Sequence, residues 1–201
     1  REPSFTVAIA RDPAFNFMYE PNIRYLHHLG EVTYFSPLAD TSLPDAGFVY
    51  LPGGYPELYL AALSANRLML QSIRRYVENG GKLLAECGGM MYLCDEIRDK
   101  NGDVYPMAGV LHQSATMENM KLRLGYRTLL YNDARLKGHE FHYSRLVEQQ
   151  DPLPSCAVAY TAKGVETDTP LYHYKNVWAG YTHLYWADPA GNDWFTKFII
   201  K

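Results

Sequence analysis

Three features of the amino-acid sequence predict an α/β fold built on a mostly parallel sheet with added antiparallel strands. Through the first half, short apolar runs rich in β-branched residues alternate with runs of helical spacing, the pattern of a parallel sheet with helices on both faces. In the second half, strand-like segments follow one another through connections containing Asn, Asp, Gly and Pro, so antiparallel strands are expected to extend or flank that sheet. No repeat, low-complexity tract or linker interrupts the chain, which makes residues 1–201 a single domain.

Taken in order, Phe5 to Ala10 reads as a buried first strand ending at the polar turn Arg11-Asp12, and Ala14 to Tyr19 as an aromatic loop. Glu20-Pro21-Asn22 opens a helix, since Pro is tolerated in a first turn; Ile23, Leu26 and Leu29 space its inner face and Gly30 closes it. Val32 to Phe35 is a second strand, Pro37 to Pro44 a loop, and Gly47 to Leu51 a third strand stopped by Pro52-Gly53-Gly54. Tyr55-Pro56-Glu57 opens a helix to about Leu63, and Ser64 is expected to cap the next. Met69, Ile73 and Tyr76 mark the inner face of that helix, and Asn79-Gly80-Gly81 ends it. Leu83 to Ala85 is a fourth strand and Met90 to Ile97 a helix-forming run. Met107 to Met117, Lys121 to Tyr131, Phe141 to Val147, Cys156 to Ala162 and Val177 to His183 read as strands, and Asn192 to Ile200 as a closing helix.

The chain is 47% hydrophobic and 20% charged with a formal charge of −3, ordinary for a soluble globular protein with one sizeable core. That balance offers no electrostatic footprint for nucleic acid or an anionic membrane. No apolar run approaches the length of a spanning helix and no signal-peptide pattern is present. Three cysteines without CxxC spacing argue against a disulfide framework and a cysteine-based zinc site, so the cytoplasm is the natural compartment.

Glu86-Cys87-Gly88-Gly89 is where chemistry is expected. A strand, a sharp turn with small neighbours and a helix together hold a nucleophile up at the carboxyl edge of an α/β sheet. A thiol at a helix amino end is expected to favour the thiolate. Most cysteines are small core residues, and Cys94 and Cys156, which lack a glycine turn, read as packing. Pro52-Gly53-Gly54 ends the strand before the Cys87 unit, and in a parallel sheet both carboxyl ends open on one crevice. Gly53 or Gly54 could therefore present a backbone N–H beside that of Gly88 to an oxyanion; Pro52 has none to offer.

A cysteine nucleophile needs a base, and seven histidines are available. His27 and His28 lie in the first helix, and His112 and His173 have no obvious partner. In His139-Glu140-Phe141-His142-Tyr143-Ser144 a strand would put Glu140, His142 and Ser144 on one face and His139, Phe141 and Tyr143 on the other. This is not the HExxH helix motif, and no metal site is expected. His183 ends a late apolar strand before the turn Ala187-Asp188-Pro189. Spacing alone does not choose between His142 and His183.

Ala10-Arg11-Asp12 with Ala14-Phe15-Asn16-Phe17, Leu51-Pro52-Gly53-Gly54-Tyr55-Pro56-Glu57, Ala85 to Leu93, Gly138 to Ser144 and Tyr181-Thr182-His183-Leu184 together resemble the glutaminase domain of the cobyrinic acid a,c-diamide synthases, a branch of the class I glutamine amidotransferases. The resemblance spans nearly the whole chain and implies a flavodoxin-like three-layer sandwich. It implies that Cys87 attacks the side-chain amide of glutamine, that His183 acts as its base, and that N–H groups of Gly88 and of Gly53 or Gly54 hold the oxyanion. Tyr55, Glu57, Glu140 and His142 are then expected at the crevice or at an interface. Most class I amidotransferases carry a Glu two residues after the base, and this branch usually a His; here the position is Tyr185, which leaves open what orients His183.

The resemblance also implies a partner, an ATP-dependent synthetase domain of the same full-length protein that activates the a and c carboxylates of cobyrinic acid for cobalamin biosynthesis. No phosphate-cradling G-x-x-x-x-G-K-[ST] loop occurs in the 201 residues, so no cofactor is expected in this domain, with ATP and Mg assigned to the synthetase. Arg1 as first residue fits the carboxyl-terminal half of a longer chain, and a homodimer fits the family. Rival readings are a domain serving a related tetrapyrrole such as hydrogenobyrinic acid or nickel sirohydrochlorin, a non-catalytic binding domain of the same fold, and a cysteine hydrolase acting on another amide or ester.

Overall fold

The structure, a computed structural model, describes residues 5–200; Arg1 lies outside the described residues. In chain order the elements are β1 (Thr6–Ala10), α1 (Glu20–Leu29), β2 (Glu31–Phe35), β3 (Phe48–Leu51), α2 (Leu60–Ala65), α3 (Arg67–Glu78), β4 (Lys82–Glu86) and α4 (Gly88–Leu93). There follow β5 (Cys94–Arg98), β6 (Val104–Pro106), β7 (Leu111–Thr116), β8 (Arg123–Tyr131), β9 (Ala134–His142), β10 (Arg145–Leu146), β11 (Val158–Thr161) and β12 (Glu166–Thr167). The chain closes with β13 (Leu171–Tyr174), β14 (Val177–Gly180), β15 (His183–Tyr185), α5 (Pro189–Trp194) and a wide π-type turn over Phe195–Ile200.

The central sheet has the order β13-β14-β4-β3-β1-β2. Its pairs are parallel from β14 to β2, and β13 is the one antiparallel edge. Strands covered on both faces need unbroken apolar runs; β3 and β14 are buried at every residue. The edge strand β2, by contrast, exposes Glu31, Thr33 and Tyr34.

Alternate residues feed two cores. Ala8, Val49, Leu51, Leu83 and Ala85 pack toward α3 and α4 with the small sheet β10-β7-β5-β6 beyond them. Ile9, Phe48, Tyr50, Leu84 and Trp178 pack toward Leu26 of α1, the antiparallel sheet β12-β11-β8-β9-β15, and Trp194 and Phe195. The antiparallel strands of the second half thus mostly flank the parallel sheet, and only β13 extends it.

Several element boundaries differ from the sequence reading. The run from Met90 to Ile97 is helical only to Leu93; Cys94–Arg98 is a strand, because Cys94 and Ile97 turn inward while Asp95 is exposed beside β7. The cap of α3 is Asn66, not Ser64: its side chain accepts from the Met69 N–H, 3.4 Å away. The segment Phe141 to Val147 belongs partly to β9, which begins at Ala134 after a turn with Asn132 at φ 50°. Val177 to His183 is two strands, and the chain crosses from the central to the antiparallel sheet at Tyr181-Thr182.

The seat of α4 fixes where Cys87 stands. At Gly89 an added Cβ would lie 2.1 Å from the Leu51 carbonyl oxygen, so the helix starts directly on the end of β3. Gly89→Ala is therefore expected to lower the unfolding free energy by about 1–3 kcal/mol, read in urea titration; an unchanged midpoint would show that α4 reseats freely.

Candidate active site

Cys87 follows β4 directly and stands at φ 52°, ψ −108°, a backbone state that non-glycine residues rarely hold. Its N–H donates to the Gly180 carbonyl of β14 at 2.7 Å, and its Sγ donates to the Phe141 carbonyl of β9 at 3.6 Å. The sulfur opens on a cleft of about 270 Å³ lined by Phe17, Gly54, Tyr55, Cys87, His139, Phe141 and His183. Two of the residue types sought from sequence, a cysteine after β4 and a histidine in β15, are thereby brought to one opening.

The two glycine turns also meet. A Cβ on Gly88 would lie 2.7 Å from Pro56 and 3.2 Å from the Gly54 carbonyl. Gly54 lines the cleft, whereas Gly53 is drawn into its wall: the Gly53 carbonyl accepts from the Asn16 and Phe17 N–H groups at 3.0 and 3.1 Å. A side chain on Gly53 would strike the His183 ring at 2.2 Å, so only glycine lets the loop pass beneath the imidazole.

His183 is buried, and burial, with His139 and His142 nearby, pushes its imidazole down to about 3. It is held neutral at physiological pH. Burial, followed by the carboxylate of Glu57, pushes the Cys87 thiol well up, and the Gly88 N–H opposes this only in part. The expectation of a favoured thiolate is corrected here: α4 is only six residues long, and loss of water outweighs its amino-terminal field. Cysteine and histidine therefore rest as a neutral thiol and a neutral base.

Tyr185 does not orient the ring, and His183 Nδ1 has no hydrogen-bond partner among the described residues. Aromatic packing confines it instead. Phe17 meets the imidazole edge-on at 4.5 Å between ring centroids, Tyr19 packs on Phe17 at 5.7 Å, and Tyr185 packs on Tyr19 at 5.9 Å.

The other expected crevice residues divide. Tyr55 lines the cleft, and Glu57 is near enough to influence both Cys87 and His142, with one buried carboxylate oxygen lacking a partner among the described residues. Glu140 and His142 turn to the opposite side of β9 and line a separate cavity of about 730 Å³, so of the two places expected for them, crevice or interface, the Cys87 cleft is not the one they line. Residues alternate across a strand, so His139 and Phe141 take the cleft and their neighbours take the cavity. His142 Nδ1 pairs with the Ser144 carbonyl and Nε2 with Glu140, both at 2.7 Å, so both ring nitrogens are engaged away from the thiol. Against burial, hydrogen bonds from His142 and Thr169 and the charge of Arg123 pull the Glu140 carboxyl down to about 2. Arg127 completes this buried cluster at 2.8 Å.

Elsewhere Cys94 is buried with its Sγ 3.5 Å from the Met90 carbonyl, and Cys156 is half-buried, as expected of packing residues. His112 and His173 do have neighbours, Asp95 at 3.2 Å and a stacked Trp178.

Sequence reasoning missed Phe17, His139 and Phe141 as cleft residues, and it missed Glu86 and Asn22 altogether. A carboxylate directly after the apolar run Leu83 to Ala85 was a readable signal for Glu86, which is only 2% exposed. Burial pushes its carboxyl up to about 8 against hydrogen bonds from Tyr50 and the Leu184 N–H. The unfolded chain ionises this group in the ordinary carboxylate range, so the folded state holds the proton more tightly. That stabilisation is complete below the unfolded value, declines as pH rises toward 8, and is gone above it. Glu86→Gln is expected to flatten the fall in stability between about pH 5 and 8, measured by urea unfolding across that window; an unaltered pH profile would refute the assignment.

Comparison with known proteins follows the same lines. Residues 6–191 match the model of the CobB/CobQ-like glutamine amidotransferase domain. The chain is 41% identical over 185 residues to a cobyrinate a,c-diamide synthase of Fusobacterium nucleatum, covering 89% of this chain and 41% of that protein. It is 38% identical over 185 residues to a hydrogenobyrinate a,c-diamide synthase of Pseudomonas aeruginosa, with the same coverage. A cobyrinate a,c-diamide synthase of Clostridium acetobutylicum matches at 36% over all of this chain and 46% of its own length. The chain thus spans less than half the length of each of these relatives. Among solved structures, PurLQS from Thermotoga maritima superposes with a TM-score of 0.60 at 18% identity, covering 90% of this chain and 88% of the other. A glutamine amidotransferase from the same organism gives 0.54 at 13%, covering 92% and 77%; these two likenesses concern the fold. With the family model matched along most of its length and an α/β architecture shared with amidotransferases, the chain belongs to the CobB/CobQ-like glutamine amidotransferase domain family.

Proposed function

We propose that the chain hydrolyses glutamine with Cys87 as nucleophile and His183 as base, supplying ammonia to an ATP-dependent amidation of the a and c carboxylates of cobyrinic acid. The observation that carries the reading is the shared cleft: the Cys87 sulfur and the His183 ring both line it, while His142 is committed to Glu140 and Ser144.

The chemistry balances in two steps. As glutamine enters, the neutral imidazole of His183 takes the thiol proton while Sγ bonds to the carboxamide carbon. Backbone N–H groups of Gly88 and of the Gly53-Gly54 turn are the candidates to receive the oxyanion. Collapse breaks the C–N bond, His183 returns its proton to the leaving nitrogen, and ammonia departs from a glutamyl thioester. Water, deprotonated by His183, then releases glutamate and restores the thiol. A buried neutral pair suits this order, because charge separates only when a carbonyl is present to accept the sulfur.

Amidation of a carboxylate also requires acyl activation, for which ATP and Mg are assigned to a synthetase partner. The relatives named above, more than twice as long as their matched portions, support such a partner and a role in cobalamin biosynthesis. Hydrogenobyrinic acid is the alternative acceptor, since one relative carries that name. A cytoplasmic setting fits this role; among the described residues no helix is long and apolar enough to cross a membrane.

Glutamine hydrolysis by wild type, Cys87→Ser and His183→Ala tests the site. Loss of about 10²-fold or more in kcat is expected for each variant. Wild-type turnover in His183→Ala, with loss in His142→Ala, would overturn the assignment of the base.

A further inference from the structure

β15, which carries His183, is an edge strand. Among the described residues it pairs with β9 on one side only, with His183 opposite His139, Leu184 opposite Gly138 and Tyr185 opposite Lys137. Successive residues of an antiparallel strand turn their backbone groups alternately toward and away from the partner. Leu184 and Trp186 therefore face the open side, and those groups lie in the protein interior, where an unpaired N–H or C=O is costly.

Two buried side chains meet them. Glu86 Oε2 accepts from the Leu184 N–H at 2.7 Å. Asn22 Nδ2 donates to the Leu184 carbonyl at 2.8 Å, and Asn22 Oδ1 accepts from the Trp186 N–H at 2.8 Å. Glu86 is itself held by the Tyr50 hydroxyl of β3 and immediately precedes Cys87. Asn22 is 1% exposed within the first turn of α1, an unusual depth for an amide in a helix start.

We infer that Glu86 and Asn22 are positioning residues for His183, serving β15 as the neighbouring strand it lacks. The inference rests on the reading of His183 as the base. One hydrogen bond runs from the residue before the sulfur to the residue after the imidazole, so the register of the two elements is set by the Glu86 carboxyl. With Nδ1 of His183 unpartnered among the described residues and Tyr185 turned to Tyr19, backbone restraint and the Phe17 contact do the work of a carboxylate on the ring.

The test is kcat and KM for glutamine hydrolysis, together with the imidazole signals of His183 in 15N–1H correlation spectra and the thermal unfolding midpoint. Glu86→Ala is expected to lower kcat about tenfold or more, with KM changed by less than about twofold, and to shift or broaden the His183 ring signals. Glu86→Gln keeps an acceptor for the Leu184 N–H in its amide oxygen, and its amide NH2 can donate to the Tyr50 hydroxyl oxygen in place of the bond Tyr50 now donates to Glu86. It is therefore expected to recover kcat to within about threefold and to leave the ring signals in place. Asn22→Ala is expected to act in the same direction as Glu86→Ala, and it decides the matter with Glu86→Gln should Glu86→Ala not fold. Wild-type kcat and unmoved ring signals in the Ala variants, or a Glu86→Gln no better than Glu86→Ala, would overturn the inference. Turnover surviving His183→Ala would instead refute the base, an outcome the ring signals keep separate from the clamp.

Discussion

The turn at Cys87 depends on a backbone conformation that its neighbours must impose. A non-glycine residue at φ 52°, ψ −108° costs about 1–3 kcal/mol unless surrounding contacts over-determine it. Those contacts come from three directions: the Gly180 carbonyl takes the N–H, the Leu51 end of β3 receives Gly89, and the Pro56 ring closes on Gly88. Every one of them belongs to the parallel sheet or to the loop leaving it. The sheet thus acts as a jig, and the sulfur stands where three of its strands, β14, β4 and β3, end.

The histidine reaches the same point by another route. β14 runs within the sheet beside β4, but two residues later the chain has changed sheets, and β15 lies on β9. Cysteine and base are therefore held by different layers, one by the parallel sheet and one by the antiparallel sheet, with the cleft at their junction. Phe17, from the loop after β1, fills the remaining side of the ring. This division lets β9 serve two openings at once, His139 and Phe141 toward the sulfur and Glu140 and His142 toward the larger cavity.

Much of this was legible in the sequence where chemistry and local structure coincide. Strand, Cys, Gly-Gly and helix at residues 83–93 told the turn, and alternation told the two faces of Gly138 to Ser144. Boundaries failed where a period is ambiguous: Cys94 and Ile97, three apart around Asp95 and Glu96, fit the inner face of a helix continuing from Met90, and pairing with β7 makes the segment a strand. The burial of Glu86 could be read from its place after an apolar run, but what Glu86 and Asn22 hold could not, for a different reason. Their partners at Leu184 are 98 and 162 positions away, so nothing local marks them as more than a strand end and a helix opener. The protonation of Cys87 was misread because a helix amino end is visible in sequence and the enclosure of the sulfur is not.

That enclosure has a consequence for the protein between turnovers. Oxidants such as peroxide, and stray electrophiles, react with the anion of cysteine far faster than with its protonated form. A sulfur that burial and nearby carboxylates hold in the protonated form presents less of that anion to sulfenic acid formation. Chemical durability of the idle protein and dependence on a bound amide for activation are thus two results of the same shielding.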